Sequence, residues 1–198
     1  MIRLTEKPPV SIEIGGVNVP VNADFRVILC IDALHDQGMT DAERGLESLR
    51  LFYGKLPCDI EAATEGMLWF LRCGEKEKQA AAWGGKPPKP DFSFVHDAPM
   101  ILAAFRDQYG IDLANVEFLH WWEFRALLDG LRPEHLFCEM RRIRSMDLGK
   151  IKDKDQRKYY REMQKAYALP LPEGQQEQLD AITEALMNGG NVSALIRG

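Results

Sequence analysis

Histidine and cysteine side chains are the residues of this sequence best suited to bind a metal or attack a substrate. The sequence has four histidines, which lie in four separate segments, and four cysteines, which form no CxxC pair. The best pairing is His135 with Cys138, three residues apart on a predicted helix. A structural zinc site needs a second pair of such ligands close by. The sequence therefore predicts no metal site and no cofactor.

Signatures of covalent catalysis and of phosphate binding are absent from the sequence as well. No nucleophile elbow or other local nucleophile motif occurs, although a triad assembled in space leaves no such trace. Gly15-Gly16 and Gly84-Gly85 are not followed by the GK[ST] or GxGxxG context of a phosphate-binding loop. We therefore expect a protein that works by binding other proteins, and not an enzyme.

A run of aromatic residues, Trp121-Trp122-Glu123-Phe124, is the first of two patterns that indicate binding. Adjacent residues on a helix lie about 100° apart, so the two tryptophans cannot share one narrow face. Either this helix is central and covered on several sides, or one aromatic face contacts a partner. We favour the central helix and keep Trp121, Trp122 and Phe124 as candidate protein-binding residues.

The second pattern is a basic segment over residues 141–165, which carries ten cationic and four anionic side chains in a chain of net charge −5. Basic residues interleaved with tyrosines are typical of nucleic-acid binding, but the acidic residues within the segment weaken its positive electrostatic field. We therefore favour a charged helix that faces another protein, and do not expect nucleic acid as the partner. The candidate protein-binding residues of this segment are Lys150, Lys152, Lys154, Arg157, Lys158 and Arg161.

The elements that would hold these residues begin with a β-hairpin. Residues 10–14 and 17–21 alternate apolar and polar side chains around Gly15-Gly16, and glycine accepts the positive φ of a tight turn. Pro20 has no amide hydrogen, so the second strand lies at an edge or ends there. An isolated hairpin is marginal in water, so it packs on the helices or pairs with another chain. The hairpin is therefore a candidate surface for a homo-oligomer.

Helical patterns follow over most of the remaining chain, and their boundaries are marked by capping residues. Asn22 or Asp24, Thr40, Asp59 and Asp97 are typical first residues, and Gly54, Gly74 and Gly110 are typical last ones. Pro133 is predicted to lie in the first turn of a further helix, and the basic segment to form a helix over residues 152–168. We predict an α+β fold that is mostly α, a compact helical array with an N-terminal β-hairpin. It forms one domain over residues 1–169, with an exposed loop at 75–95 and a C-terminal tail at 170–198 that holds one short helix around Leu179, Ile182 and Leu186.

Composition places this domain in a reducing compartment. The unpaired cysteines are typical of reduced thiols in a cytoplasm. No apolar run approaches the roughly 20 residues of a membrane span, and the first ten residues lack the apolar stretch of a signal peptide. The expected location is the cytoplasm, with no membrane partner.

Several short motifs together carry a family resemblance. They are Asn22-Ala23-Asp24-Phe25-Arg26, Leu51-Phe52-Tyr53-Gly54, Trp69-Phe70 ahead of Cys73-Gly74, Gln108-Tyr109-Gly110-Ile111-Asp112-Leu113 and His120-Trp121-Trp122-Glu123-Phe124. Over roughly residues 10–169 the chain resembles the bacteriophage gene-product-fifteen family, which is encoded in the tail-morphogenesis regions of phages and prophages.

The resemblance implies a tail assembly chaperone that binds the tape-measure protein and other tail proteins in the bacterial host and is absent from the mature virion. It carries over no catalytic residues. Two alternatives stay open: a structural component of the tail or neck, and a nucleic-acid-binding regulator that uses the basic residues 150–165. A polypeptide client needs spare apolar and charged surface, which the aromatic run, the hairpin and the basic segment are candidates to supply.

Overall fold

Two short strands begin the fold, in a computed structural model that describes residues 5–75 and 90–170. Strands β1 (Ser11–Ile14) and β2 (Val17–Pro20) pair antiparallel, with Ile14 opposite Val17. Gly15 and Gly16 make the turn at φ +57° and +81°, in the left-handed region where glycine is unstrained. The hairpin is confirmed, and Pro20 ends the second strand.

Seven α-helices follow in the described residues. They are α1 (Phe25–Ala33), α2 (Asp41–Tyr53), α3 (Ile60–Leu71), α4 (Ala98–Tyr109), α5 (Trp121–Asp129), α6 (Leu136–Ser145) and α7 (Lys154–Ala166). A mostly helical α+β fold is therefore confirmed. None of the described helices is long and apolar enough to span a bilayer.

Capping side chains fix the starts of the first three helices as the sequence predicts. Asp24 accepts a hydrogen bond from the Arg26 amide, and Asp59 accepts one from the Ala62 amide. Thr40 and Glu43 form a reciprocal capping box at the start of α2. These bonds satisfy amides that have no partner within the first helical turn.

Other helix boundaries differ from the prediction. Helix α3 ends at Leu71, three residues before Gly74, because Cys73 at φ +54° already leaves the helical conformation. Pro133 lies in the turn ahead of α6 and not in its first turn. Helix α7 begins after Asp153, whose side chain accepts from the Gln156 amide, and so is shorter than the predicted 152–168.

The core is built around five phenylalanines that are at most 1% exposed: Phe52, Phe70, Phe105, Phe124 and Phe137. Phe124 of α5 stacks on Phe25 of α1 at 4.7 Å and on Phe105 of α4 at 5.3 Å between ring centroids. The hairpin contacts this core through Ile12, whose side chain packs on α3 at Gly66. A Cβ at that glycine would lie 2.9 Å from Ile12 Cγ2, so the hairpin can approach only because residue 66 has no side chain.

The predicted exposed loop and C-terminal tail lie largely outside the described residues. Residues 76–89 and 171–198 are not described, so the short helix of the tail stays a prediction. At the described end of the loop, Phe92 and Phe94 are half-buried against the core, and Asp91 pairs with Arg141. Residues 91–94 of the predicted loop are thus only partly exposed, whereas Val95 is 51% exposed.

Candidate protein-binding site

The paired tryptophans lie inside the protein. Trp121 and Trp122 are 4% and 5% exposed, and Phe124 is 1% exposed. The Nε1 of Trp121 donates to the Leu71 carbonyl at 3.1 Å, and the Nε1 of Trp122 donates to the Phe70 carbonyl at 2.8 Å. The central-helix interpretation is confirmed. As candidate protein-binding residues these three stay a prediction, and most of their apolar surface is used in the core and at the end of α3.

His120 organises the start of the same helix, and its role was missed in the sequence. Its ring is 3% exposed, and Nδ1 accepts the Trp122 amide at 3.0 Å, which makes it the N-terminal cap of α5. The remaining nitrogen, Nε2, must then carry the proton, and it lies 2.9 Å from the Pro9 carbonyl. One neutral side chain thus joins the segment ahead of β1 to the central helix. Histidine is not among the preferred capping residues, so spacing rules do not find it.

Helix α7, in contrast, has no buried residue. Its inner side is formed by half-buried Tyr160 and Gln164. Gln164 Nε2 donates to the carbonyls of Ile143 at 2.9 Å and Met146 at 2.8 Å, where α6 ends. The Ile143 carbonyl also accepts the Met146 amide at 3.2 Å, and carbonyls at the end of a helix lack the amide four residues further on. Gln164 therefore adds hydrogen bonds at this end of α6 and holds α7 in place.

The outer side of α7 carries Lys154, Lys158, Arg161 and Lys165, which we call the basic stripe. The spacings of four, three and four residues place all four on one side of the helix. All are exposed, and Lys165 lies 3.7 Å from Glu162. Lys154, Lys158 and Arg161 have no ion-pair partner among the residues that the structure describes. Within the described part of the chain, three of the four cations of the stripe are thus available to an acidic surface.

The other basic candidates do different things. Arg157 is half-buried, and its Nε donates to the Ile151 carbonyl at 3.0 Å, which closes the turn ahead of α7. The Nζ of Lys150 lies 3.8 Å from Asp147, and Lys152 is exposed ahead of the helix. Of the six basic residues predicted, Lys154, Lys158 and Arg161 thus lie together on one helix face.

A buried ion pair anchors this part of the molecule. The Arg144 guanidinium binds both carboxylate oxygens of Asp97, at 2.6 and 3.0 Å, and the two side chains are 9% and 2% exposed. Arg144 Nε also donates to the Tyr167 carbonyl at 2.6 Å, just beyond the end of α7. Asp97 was predicted only to open α4, but its side chain is turned to Arg144 instead of capping the helix. Sequence spacing gives no signal for a contact over 47 residues.

A second exposed feature is an apolar groove of about 320 Å³ between α1 and α4. Its lining includes Phe25, Leu29, Leu102 and Phe124, and Leu102 is 40% exposed. Arg26 lies at the rim, where its ion pair with Asp24 lowers the pKa of that carboxyl. The groove offers apolar contact with almost no hydrogen-bonding groups.

The possible metal ligands and nucleophiles are placed apart. His135 Nε2 lies 3.0 Å from Gln108 Oε1, and the Cys138 thiol contacts the Leu131 carbonyl at 3.8 Å, so the two bind different partners. Burial raises the pKa of the Cys73 thiol to about 11 and also raises that of Cys138, which disfavours the nucleophilic thiolate. The described residues contain no group of three or more His, Cys, Asp or Glu side chains suited to hold a metal ion.

Comparison with known proteins identifies the family of this chain. The family model described as "Bacteriophage Gp15 protein" matches residues 4–169. The chain belongs to that family. Searches of curated proteins and of solved structures found no match. The Gp15 match extends from the hairpin through α7, so the basic stripe, the apolar groove and the buried Arg144–Asp97 pair all lie within the matched region.

Proposed function

We propose that this Gp15 chain is a non-enzymatic protein of phage tail morphogenesis, a tail assembly chaperone that binds the tape-measure protein. The observation that carries the proposal is the basic stripe on α7, with three cations that have no carboxylate partner among the described residues. Such a surface steers encounter with an acidic partner and keeps contacts reversible, which suits a chaperone that must release its client.

The apolar groove between α1 and α4 also supports the proposal, because apolar contacts in it would add binding affinity for a client. An amphipathic client helix places apolar side chains into a groove of this kind, and charge around the contact sets its orientation. Because Leu102 is 40% exposed on the groove wall, it is the natural contact for such a helix. The proposed client therefore carries an apolar stripe and acidic residues.

Co-expression with a phage tape-measure protein tests the proposal directly. We expect the tape-measure protein to stay soluble only when the chain is present, and the two to purify together. A client that is equally soluble without the chain would end the chaperone proposal.

The role of the basic stripe is tested by the triple variant Lys154→Gln, Lys158→Gln, Arg161→Gln. Capture of the client at low salt should fall about tenfold, because the loss of three exposed contacts removes most of the steering field. A matched control replaces three exposed cations elsewhere, Lys7→Gln, Arg50→Gln and Lys55→Gln, and should capture the client as the parent does. Equal capture by both variants would remove the stripe from the mechanism.

We further propose that the protein acts in the cytoplasm of the bacterial host and leaves before the virion is complete. Mass spectrometry of purified phage particles should then detect tail proteins without this chain. A stoichiometric amount in the particles would favour the structural component of the tail or neck.

Self-association through the hairpin is also a proposal, and it concerns the edge of β1. The edge of β2 offers few donors to another strand. Pro20 has no amide hydrogen, and the Asn22 amide already donates to the Phe52 carbonyl at 2.7 Å. The variant Glu13→Pro removes an amide donor from β1. It should therefore have a lower sedimentation coefficient than the wild-type oligomer. A wild-type chain that sediments as a monomer would contradict the proposal.

A further inference from the structure

The outer edge of β1 carries backbone groups that have no partner in the described part of the chain. Alternate residues of a strand direct their amides and carbonyls to opposite edges. Val10 uses the edge towards β2, where its carbonyl accepts the Val21 amide at 3.0 Å. Ser11 and Glu13 therefore direct their backbone groups to the other edge, and no hydrogen bond joins them there to a described residue. This edge can pair with another strand.

The sequence of this edge is complementary to itself when two copies run in opposite directions. Val10-Ser11-Ile12-Glu13-Ile14 has apolar residues at both ends and in the middle, with a polar residue in each gap. We propose that β1 pairs antiparallel with β1 of a second copy, with Ile12 opposite Ile12 at a two-fold axis. The two hairpins then form one continuous sheet. The pairing specifies the self-association proposed above and rests on that proposal.

The backbone groups of the edge favour this register over its neighbours. The free amides and carbonyls allow two-fold pairings centred on Ser11, Ile12 or Glu13. The Ser11-centred pairing places Glu13 opposite Pro9, which has no amide hydrogen and whose carbonyl already lies 2.9 Å from His120 Nε2. The Glu13-centred pairing places two carboxylates directly opposite each other, which is destabilising. The Ile12-centred pairing uses every free amide and carbonyl of Ser11 and Glu13.

The polar side chains of the edge agree with the same register. The Glu13 side chain is exposed and has no ion-pair partner among the residues that the structure describes. In the proposed pairing it lies opposite Ser11 of the second copy, whose hydroxyl can donate a hydrogen bond to the carboxylate. Because the axis repeats every contact, both Glu13 carboxylates gain a donor.

Val10 gives an independent reason for a second copy at this edge. Its side chain is 60% exposed, although it lies on the same strand face as Ile12 and Ile14, which are each 8% exposed. In the proposed register Val10 lies opposite Ile14 of the second copy. The two form a pair without direct hydrogen bonds, in which Cα atoms are about 4.5 Å apart and side chains lie close. The second copy thus covers an apolar side chain that the single chain leaves exposed.

Cysteine cross-linking of the full chain distinguishes the registers. The variants Ser11→Cys and Glu13→Cys are made separately, in a chain whose exposed Cys30 and Cys58 are replaced by serine. Residues 11 and 13 of opposite copies lie about 5.5 Å apart between Cα atoms in the proposed register, which suits a disulfide. We therefore expect disulfide-linked dimers when the two variants are mixed and then oxidised. Mass spectrometry of the linked peptides identifies the pair.

Each variant oxidised alone is the matched control. Efficient linking of Ser11→Cys alone belongs to the Ser11-centred register, and efficient linking of Glu13→Cys alone belongs to the Glu13-centred register. Either result would overturn the proposed pairing. A mixture without any link between positions 11 and 13 would overturn it as well.

Charge substitution tests the register without a covalent link. Ser11→Lys places a cation opposite Glu13 on both sides of the axis, so the dimer should bind about threefold more tightly. Ser11→Glu should weaken it to a similar degree, and adding Glu13→Lys to that variant should restore it. Sedimentation equilibrium measures the dissociation constants. A double variant as weak as Ser11→Glu alone would show that residues 11 and 13 are not opposite each other.

Val10→Ser tests the apolar part of the contact by the same measurement. The dimer should be about tenfold weaker, because the apolar contact with Ile14 is lost on both sides of the axis. Val17→Ser is the control, since Val17 is similarly exposed at 64% but lies on β2, away from the paired edge. It should leave the dissociation constant unchanged. Equal weakening by both variants would contradict the proposed pairing.

The outcomes separate this pairing from the proposed function. An oligomer without the link between positions 11 and 13 keeps self-association and overturns the register. A monomeric chain whose Glu13→Pro variant loses client capture would assign the edge to a client strand and overturn the pairing. Linked dimers that fail to keep the tape-measure protein soluble would leave the pairing standing and remove the chaperone proposal.

Discussion

Helices α5 and α7 hold their places in opposite ways. Helix α5 is held by apolar burial: its two tryptophans and Phe124 are at most 5% exposed, and both indole N–H groups are hydrogen-bonded to the end of α3. Helix α7 buries no residue and is held by polar contacts from Gln164 and Arg144. The aromatic run therefore builds the fold, while the exposed cations of the basic stripe lie on the weakly buried helix.

The largest expected effect in this comparison follows from Trp122→Ala. Removing a buried indole leaves a cavity and removes the hydrogen bond from Nε1 to the Phe70 carbonyl, which should lower the free energy of unfolding by about 3–5 kcal/mol. Urea denaturation followed by circular dichroism measures it. A loss below about 1 kcal/mol would mean that α5 is not the centre of the core.

The buried ion pair between α6 and the start of α4, beside the end of α7, should give the next effect. Arg144→Met leaves the Asp97 carboxylate buried without its partner, which should lower the free energy of unfolding by about 3 kcal/mol. The double variant Arg144→Met, Asp97→Leu should recover much of that loss, since no buried charge remains. If the single and double variants were equally unstable, packing and not charge would explain the role of Arg144.

Alkaline pH should destabilise the core through Tyr53. Burial raises the pKa of Tyr53 to about 12 from the usual 10.0, and its hydroxyl donates to the Ala63 carbonyl at 2.8 Å. A raised pKa in the folded state means that the stability is complete below pH 10 and is lost as the pH rises towards 12. The loss should be on the order of 2–3 kcal/mol, measured by urea unfolding at several pH values.

Tyr53→Phe is the control for this pH dependence. It should cost about 1 kcal/mol at neutral pH through the lost hydrogen bond, but it should be less sensitive to alkali than the wild type. Absorbance at 295 nm should also lose its component near pH 12. Identical alkaline unfolding of the two proteins would show that another group dominates.

Lys158→Gln should have the smallest effect on stability. The side chain is exposed and has no ion-pair partner in the described residues, so the free energy of unfolding should change by less than about 0.5 kcal/mol. Urea denaturation at low and at high salt measures the change. A loss above 1 kcal/mol would show that α7 depends on charges for its position, which would weaken its contrast with α5.

Local signals in the sequence predict much of this fold. The hairpin follows from Gly15-Gly16 between alternating strands, and the starts of α1, α2 and α3 follow from Asp24, Thr40 and Asp59. The central position of α5 follows from tryptophans that cannot share one face. In each case the responsible residues lie within a few positions of one another, so spacing rules apply.

Contacts between distant residues could not be predicted in this way. Arg144 and Asp97 are 47 residues apart, and the apolar groove exists only because α1 lies beside α4. The basic segment was recognised from its charge. However, the orientation of α7 against α6, which Gln164 fixes, decides which cations form the stripe. The charge pattern of the sequence does not predict that orientation.

The hydrogen bond between Pro9 and His120 has a consequence for biosynthesis. The Pro9 carbonyl leaves the ribosome 111 residues ahead of the ring that binds it. A two-stranded hairpin alone is marginal in water, so β1 and β2 emerge early and stay without lasting support while α3 and α5 are being translated. The first strands of the nascent protein are therefore secured only after more than half of the chain has been made.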